Sequence, residues 1–105
     1  MKIIRTAYRC TVEEYVLFID QSLVDDINND ITHWSTENFQ PLTLKEVEDI
    51  VSGEDGEETR ASEKLSFSNY NLGEYVHAWV NDAIWDCEYT EIDGYTNDWE
   101  DEIIN

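Results

Sequence analysis

The sequence predicts an α+β fold, with about three helices packed on a short antiparallel sheet in one domain spanning residues 1–105. Three segments begin with helix-capping residues and continue with apolar residues at helical spacing. Segments near both ends of the chain instead favour short strands, because they are rich in β-branched and aromatic residues. At 105 residues, 41% of them hydrophobic, the chain is long enough to bury a modest core without disulfides.

The N-terminal segment, residues 2–9, predicts a strand that holds three of the six basic residues of the chain. We expect this basic strand to lie against acidic neighbours. Thr11 and Glu14 then form a capping-box pattern, and apolar residues follow at helical spacing as far as Ile27, which predicts a helix ending near residues 28–29. A strand over residues 15–19 is the alternative. Residues 31–40 are predicted to be a connector.

The second helix has clearer boundary signals. Thr43 and Glu46 form a capping box, Leu42 and Val47 occupy the flanking hydrophobic-staple positions, and Gly53 predicts the C-terminal stop. An acidic loop, residues 54–59, follows. Leu65 and Phe67 alternate with serines, which predicts a short strand.

The third helix starts from the capping pattern of Asn71 and Glu74 and is expected to end near Trp85. Its apolar face comprises Leu72, Val76, Trp79, Val80 and Ala83. Residues 87–99 predict a hairpin around the Asp93-Gly94 dipeptide, a favoured two-residue turn. Residues 98–105 are predicted to be an acidic tail.

The charge distribution is the strongest functional signal. The formal net charge is −19, from 25 acidic and 6 basic residues, and the last basic residue is Lys64. From Leu65 onward the chain carries ten carboxylates and no Lys or Arg. A compact domain this acidic repels itself. We therefore expect its negative surface to serve a partner, namely a positively charged protein or complex that ordinarily binds nucleic acid. Direct binding to nucleic acid or to an anionic membrane is excluded on the same grounds.

Catalytic and metal-binding signals are weak. His33, His77, Cys10 and Cys87 are scattered and show no zinc-site spacing. The acidic segment that begins at Asp93 lacks the glycine and glutamate positions of an EF-hand loop. No nucleophile elbow or glycine-rich phosphate loop is present. We predict no enzyme activity, no cofactor and no metal site. The two cysteines are expected to be free thiols in a reducing, cytoplasmic environment, and no secretory signal is recognisable.

The candidate partner-binding residues are carboxylates interleaved with aromatic residues, an arrangement suited to an interface with apolar central contacts and a charged rim. The carboxylates are Glu74, Asp82, Asp86, Glu88, Glu91, Asp93, Asp98, Glu100, Asp101 and Glu102, and the aromatic residues are Trp85, Tyr89, Tyr95 and Trp99. A secondary set lies in the acidic loop: Glu54, Asp55, Glu57 and Glu58. Carboxylates three or four apart on a helix, or two apart on a strand, have spacings that resemble those of phosphates along a nucleic-acid strand.

In its size, acidity and aromatic content, over the whole chain, the sequence resembles small phage-encoded nucleic-acid mimics of the anti-CRISPR and anti-restriction type. This resemblance implies an inhibitor, present in the bacterial cytoplasm as a monomer or homodimer, that occupies the cationic groove of a CRISPR-Cas effector or a restriction enzyme. One alternative is an immunity protein that neutralises a cationic nuclease toxin. Another is an acidic adaptor or structural protein, whose charge serves solubility.

Overall fold

The computed structural model describes residues 1–34, 40–53, 72–94 and 98–105. In these ranges the elements follow the order β1 (Lys2–Tyr8), β2 (Val12–Phe18), α1 (Gln21–Trp34), α2 (Leu44–Ser52), α3 (Leu72–Trp85), β3 (Tyr89–Ile92) and β4 (Trp99–Ile104). Three helices and a four-stranded antiparallel sheet confirm the predicted α+β class. The chain divides into two compact units: a sheet unit, Met1–Phe18 with Asn81–Asn105, and a helical unit, Ile19–Val80.

In the sheet unit the strand order is β3-β2-β1-β4, so the N-terminal hairpin β1–β2 forms the centre. Burial alternates along β1, where Ile3, Arg5 and Ala7 are buried and the residues between them are half-buried. This period of two defines an inner face, which carries the buried residues of β1 together with Tyr15 and Leu17 of β2. The opposite face, called the open face below, carries the alternate residues of the strands.

The helical unit is built around the apolar sides of its helices. Within this unit, the buried aliphatic residues of these helices are Leu23, Val24, Ile27 and Ile31 of α1, Val47, Ile50 and Val51 of α2, and Val76 and Val80 of α3. The Asn28 side chain accepts a hydrogen bond from the backbone N–H of Leu42 and donates one to its carbonyl oxygen. The Tyr75 hydroxyl donates to the Asp30 carboxylate. These bonds connect α1 to the segment before α2 and to α3.

The boundary signals of α2 are confirmed. Thr43 Oγ1 accepts a hydrogen bond from the Glu46 N–H at 3.2 Å, and the Glu46 carboxylate accepts one from the Thr43 N–H at 3.1 Å. Gly53 ends the helix with φ of +82°, a left-handed conformation that favours glycine. Leu42 and Val47, the predicted staple residues, are both buried.

The first predicted helix is wrong over its N-terminal half, and the alternative strand is correct. Residues 12–18 form β2, in which Tyr15 and Leu17 are buried while Val16 is half-buried and Phe18 is 61% exposed. That alternation is the strand period, and it competes with the helical spacing in the same segment. The helix begins after Asp20, whose carboxylate accepts from the Leu23 N–H, and it runs to Trp34, so residues 31–34 are not a connector.

The predicted C-terminal hairpin is also wrong. β3 pairs with β2 and β4 pairs with β1, so the two C-terminal strands lie at opposite edges of the sheet. Gly94, with φ of +151°, passes so close to β2 that a Cβ atom would lie 2.8 Å from Val12 Cγ2. The predicted acidic tail is instead largely an ordered strand, β4.

The remaining predictions have mixed outcomes. β1 confirms the N-terminal strand, and α3 ends at Trp85 as expected. Val76 and Val80 are buried on α3, and so is Ile84, which had not been assigned to the apolar face. The acidic loop 54–59, the strand at residues 65–67 and the Asn71 cap lie outside the described residues. Among the described residues, none of the helices has the length and hydropathy needed to span a bilayer.

Candidate protein-binding interface

Arg5, in the middle of β1, organises the inner face of the sheet unit. Its side chain is buried, and its Nε and Nη2 donate to the two carboxylate oxygens of Asp101 at 2.7 and 2.8 Å. Nη1 donates to Asn81 Oδ1 at 2.7 Å. Asp101 is the register partner of Arg5 on β4, so the basic strand does lie against an acidic neighbour here. One of the ten C-terminal carboxylates is thereby neutralised within the protein.

Two of the predicted partner-binding aromatic residues, Trp85 and Trp99, contact this arginine, and a third, Tyr89, joins them through Tyr15. The Trp85 and Trp99 rings are stacked, with centroids 4.9 Å apart and planes 7° apart. The Arg5 guanidinium carbon lies 3.8 Å from the Trp99 centroid, within cation–π range. Tyr15 contacts Trp85 edge-on and Tyr89 at a tilt, with centroid separations of 5.0 and 5.5 Å. These rings therefore stabilise the sheet unit, while 43% of Trp99 and 49% of Tyr89 stay exposed.

A surface cavity of about 460 Å³ adjoins the stacked rings, and its lining is Ala7, Tyr8, Arg9, Trp85, Asp98 and Trp99. Arg9 lies in the turn between β1 and β2 and is exposed, with its guanidinium carbon 5.3 Å from the Trp85 centroid. The Asp98 backbone carbonyl accepts from the Tyr8 N–H, which fixes the start of β4 beside this cavity.

The β4 edge carries the densest group of carboxylates in the sheet unit. Asp98 precedes the strand, and Glu100, Asp101 and Glu102 lie on it. Asp101 points to the inner face with Arg5, so Glu100 and Glu102 project from the open face, about 7 Å apart. Thr6 pairs with Glu100 on one side and Glu14 on the other, which places Glu14 on the same face about 10 Å from Glu100.

We call Glu14, Glu100 and Glu102 the open-face carboxylates. Glu100 and Glu102 are exposed and Glu14 is half-buried. Within the described ranges, neither an ion pair nor a hydrogen bond engages any of these three side chains. The sheet unit as a whole has eleven carboxylates and three basic side chains, so this local excess of negative charge is not offset elsewhere in the unit.

A second acidic group lies at the opposite edge, on and beside β3. Glu88, Glu91 and Asp93 are all exposed there. Glu91 pairs in register with Glu13, and like charges directly opposite each other destabilise a sheet. The Tyr15 hydroxyl donates to Glu13 at 2.7 Å, and this hydrogen bond, together with burial, raises the pKa of Tyr15. Two strands separate the β3 and β4 edges, a distance of about 14 Å.

The other predicted site residues lie elsewhere. Asp82 lies near the end of α3 and Asp86 just after it, and both are exposed in the sheet unit. Glu74 lies in the first turn of α3, within the helical unit, and is also exposed. Tyr95 and the secondary set Glu54, Asp55, Glu57 and Glu58 lie outside the described residues. Both cysteines are free; Cys10 is exposed, and burial raises the pKa of the half-buried Cys87 thiol.

The sequence does not predict two residues that lie on the open face, Glu14 and Phe18. Glu14 belongs to a predicted helix cap, and Phe18 is expected in a strand only under the alternative over residues 15–19. The available signal was the alternation over residues 15–19, which supports a strand and places every second residue on one face. Recognising β2 would have identified Phe18, but the partner strands of the sheet would still have been unknown.

No match was found for this chain among protein-family models, among curated proteins or among solved structures. Within the described ranges, no group of three or more His, Cys, Asp or Glu side chains is arranged to hold a metal ion. Function is therefore inferred from the geometry and charge of the sheet unit.

Proposed function

We propose that this protein is an acidic nucleic-acid mimic, which binds the cationic groove of a nucleic-acid-binding protein or complex and keeps nucleic acid out. The observation that carries the proposal is the set of open-face carboxylates beside the β4 edge, held on a regular sheet without cationic partners in the described structure. A CRISPR-Cas effector or a restriction enzyme, acting in a bacterial cytoplasm, is the class of target we propose.

The physical basis is the similarity between carboxylate and phosphate as hydrogen-bond acceptors. Lys and Arg side chains placed for phosphates form the same charge-assisted bonds to carboxylates. Carboxylates two apart on a strand lie about 7 Å apart, a spacing that resembles the phosphate repeat, and the sheet fixes them before binding. The net charge of −19 adds long-range attraction to a cationic groove and accelerates association.

The fold narrows the set of carboxylates that act together. The β3 and β4 groups lie at opposite edges of the sheet, so they form two negative surfaces rather than one stripe. Asp101 is bound to Arg5 and has a structural role. The carboxylates that we assign to target binding are therefore Glu100, Glu102 and Glu14, with Asp98 beside them.

The test is competition with nucleic acid on purified CRISPR-Cas effectors and restriction enzymes, measured by fluorescence anisotropy of labelled DNA or RNA. We expect the protein to displace the labelled strand from its target in a dose-dependent way. The double variant E100K/E102K should abolish displacement, because it reverses two open-face charges. The matched control is D25K/D26K, which changes the net charge equally on two exposed residues of α1 in the helical unit.

Two results would contradict the proposal. If the protein displaces nucleic acid from no member of the panel, mimicry of nucleic acid is wrong. If E100K/E102K and D25K/D26K weaken displacement equally, total charge rather than this surface is responsible. Circular dichroism of both variants shows whether the fold is retained.

A further inference from the structure

The open face of the sheet carries apolar side chains as well as carboxylates. Phe18 is 61% exposed, the largest exposed fraction among the described large hydrophobic residues. In register, Phe18 pairs with Lys2, and Lys2 pairs on its other side with Ile104 of β4. The next row of the same face contains Val16, Ile4 and Glu102. One end of the open face thus carries two apolar side chains on either side of Lys2, and the carboxylates begin one row away.

A surface depression marks this apolar end. It has a volume of about 240 Å³ and is lined by Met1, Lys2, Phe18, Ile104 and Asn105. The Lys2 stem lies between Phe18 and Ile104, where the methylenes of a lysine extend an apolar surface. A depression of this size accepts one apolar side chain, as the anchor pocket at the centre of a protein–protein interface does.

The charges beside the depression restrict what can occupy it. Glu102 lies about 7 Å from the Ile104 row along β4, and Glu100 lies about 14 Å away. A second copy of this chain would bring the same carboxylates against each other, which like-charge repulsion disfavours. An anionic membrane surface is disfavoured for the same reason. The complementary occupant is a basic protein segment with one exposed apolar side chain.

We infer that the open face binds an extended basic segment of its target, with an apolar side chain in the Phe18–Ile104 depression and Lys or Arg side chains on Glu102 and Glu100. In an extended segment, alternate residues lie about 7 Å apart on one side, so the basic residues follow the apolar one at the second and fourth positions. This inference rests on the proposed function and adds to it an apolar anchor that charge mimicry alone does not require.

The test uses two synthetic peptides and the full chain at low salt. The probe acetyl-Gly-Phe-Thr-Arg-Thr-Arg-Gly-amide has the required spacing, and the matched peptide replaces Phe with Gly at the same charge. We expect the Phe peptide to bind roughly tenfold more tightly in an NMR titration, from burial of the ring. Amide shifts should centre on Phe18, Ile104 and Glu102.

Two variants show which residues cause the difference in affinity between the two peptides. Phe18→Ser, at an exposed position, should reduce the affinity for the Phe peptide to the level of the Gly peptide. The affinity for the Gly peptide itself should not change. Ile103→Ser, on the inner face of the same strand as Ile104 and 39% exposed, should leave the difference between peptides intact. Equal affinities for the two peptides in the unmodified protein, or no effect of Phe18→Ser, would overturn the inference.

The outcomes separate this inference from the proposed function. Displacement of nucleic acid by the protein, together with equal affinities for the two peptides, rejects the apolar anchor alone. Selective binding of the Phe peptide without displacement of nucleic acid from any target rejects the proposed mimicry instead.

Discussion

At the scale of single residues, Arg5 makes the connections on which the sheet unit most depends. Its guanidinium binds Asp101, which is 96 positions away in the sequence, and Asn81 at the end of α3. It also lies against the Trp99 ring. A buried charge is tolerated only when it is paired and hydrogen-bonded, so these contacts act together. Arg5 is thus a structural cation in a domain dominated by negative charge.

Removing the charge of Asp101 should therefore destabilise the protein. We expect Asp101→Asn to lower the free energy of unfolding by about 2 kcal/mol, because the Arg5 charge stays buried without its ionic partner. Urea denaturation followed by tryptophan fluorescence measures this change. Glu102→Gln, on the same strand but on the open face, is the control and should change stability by less than about 0.5 kcal/mol. Equal effects of the two variants would show that the pair contributes nothing specific.

At the scale of secondary-structure elements, α2 has both of its limits fixed by local contacts. Its capping box satisfies backbone groups at the N-terminus, and Gly53 closes the C-terminus with its N–H donating to Ile50. Such contacts involve residues within four positions of each other, so they depend little on the remainder of the fold.

Removal of the Thr43 hydroxyl tests whether the capping box stabilises α2. We expect Thr43→Ala to lower the free energy of unfolding by about 1 kcal/mol, since the Glu46 N–H loses its acceptor. Thr43→Ser keeps an acceptor and should retain most of the stability, as measured by thermal and urea denaturation. If Thr43→Ala and Thr43→Ser have the same stability, the hydrogen bond at the cap is not what stabilises α2.

The same distinction between local and distant contacts explains what could be predicted from the sequence. Short-range signals in the sequence predict the limits of α2, the end of α3 and the presence of a strand at β1. The apolar residues of β2 fit both the helical and the strand period, so the sequence predicts a helix there, whereas pairing with β1 stabilises the strand. The Asp93-Gly94 dipeptide predicts a hairpin locally, but the pairing of β3 and β4 with the N-terminal hairpin prevails.

The C-terminal residues of the candidate site could be predicted as a list but not as a surface. The acidic and aromatic positions from Trp85 to Glu102 could be selected by composition. Their division between two sheet edges could not, because it depends on strands that pair across most of the chain. The inward orientation of Asp101 likewise depends on Arg5, so its structural role is invisible in the local sequence.

At the scale of the whole molecule, the net charge of −19 opposes folding through self-repulsion. The described structure contains two Lys or Arg ion pairs with carboxylates, Arg5–Asp101 and Lys45–Asp49. The exposed carboxylates on and beside β3 and β4 that lack a cationic partner in the described structure, such as Glu91 and Glu100, are stabilised by solvent and by counterions. Screening by salt reduces repulsion between exposed charges, and it equally reduces attraction to a cationic target.

Salt should consequently act in opposite directions on stability and on binding. We expect Tm to rise between low and moderate NaCl concentration, as measured by differential scanning calorimetry, while the affinity for the target falls over the same range. KCl at equal ionic strength should give the same rise, which separates screening from binding of a particular ion. A flat or falling Tm would indicate that the charges are already well dispersed or paired.

The strand order β3-β2-β1-β4 has a consequence for biosynthesis. Synthesis proceeds from the N-terminus, so the central hairpin leaves the ribosome early with both of its edges uncovered. The strands that cover those edges follow much later in the sequence, and Arg5 meets Asp101 only after β4 has been translated. A chain arrested before residue 99 would present an open strand and an unpaired arginine to the cell, which are features that promote aggregation and proteolysis. Quality control thus has a simple means of recognising chains that lack β4.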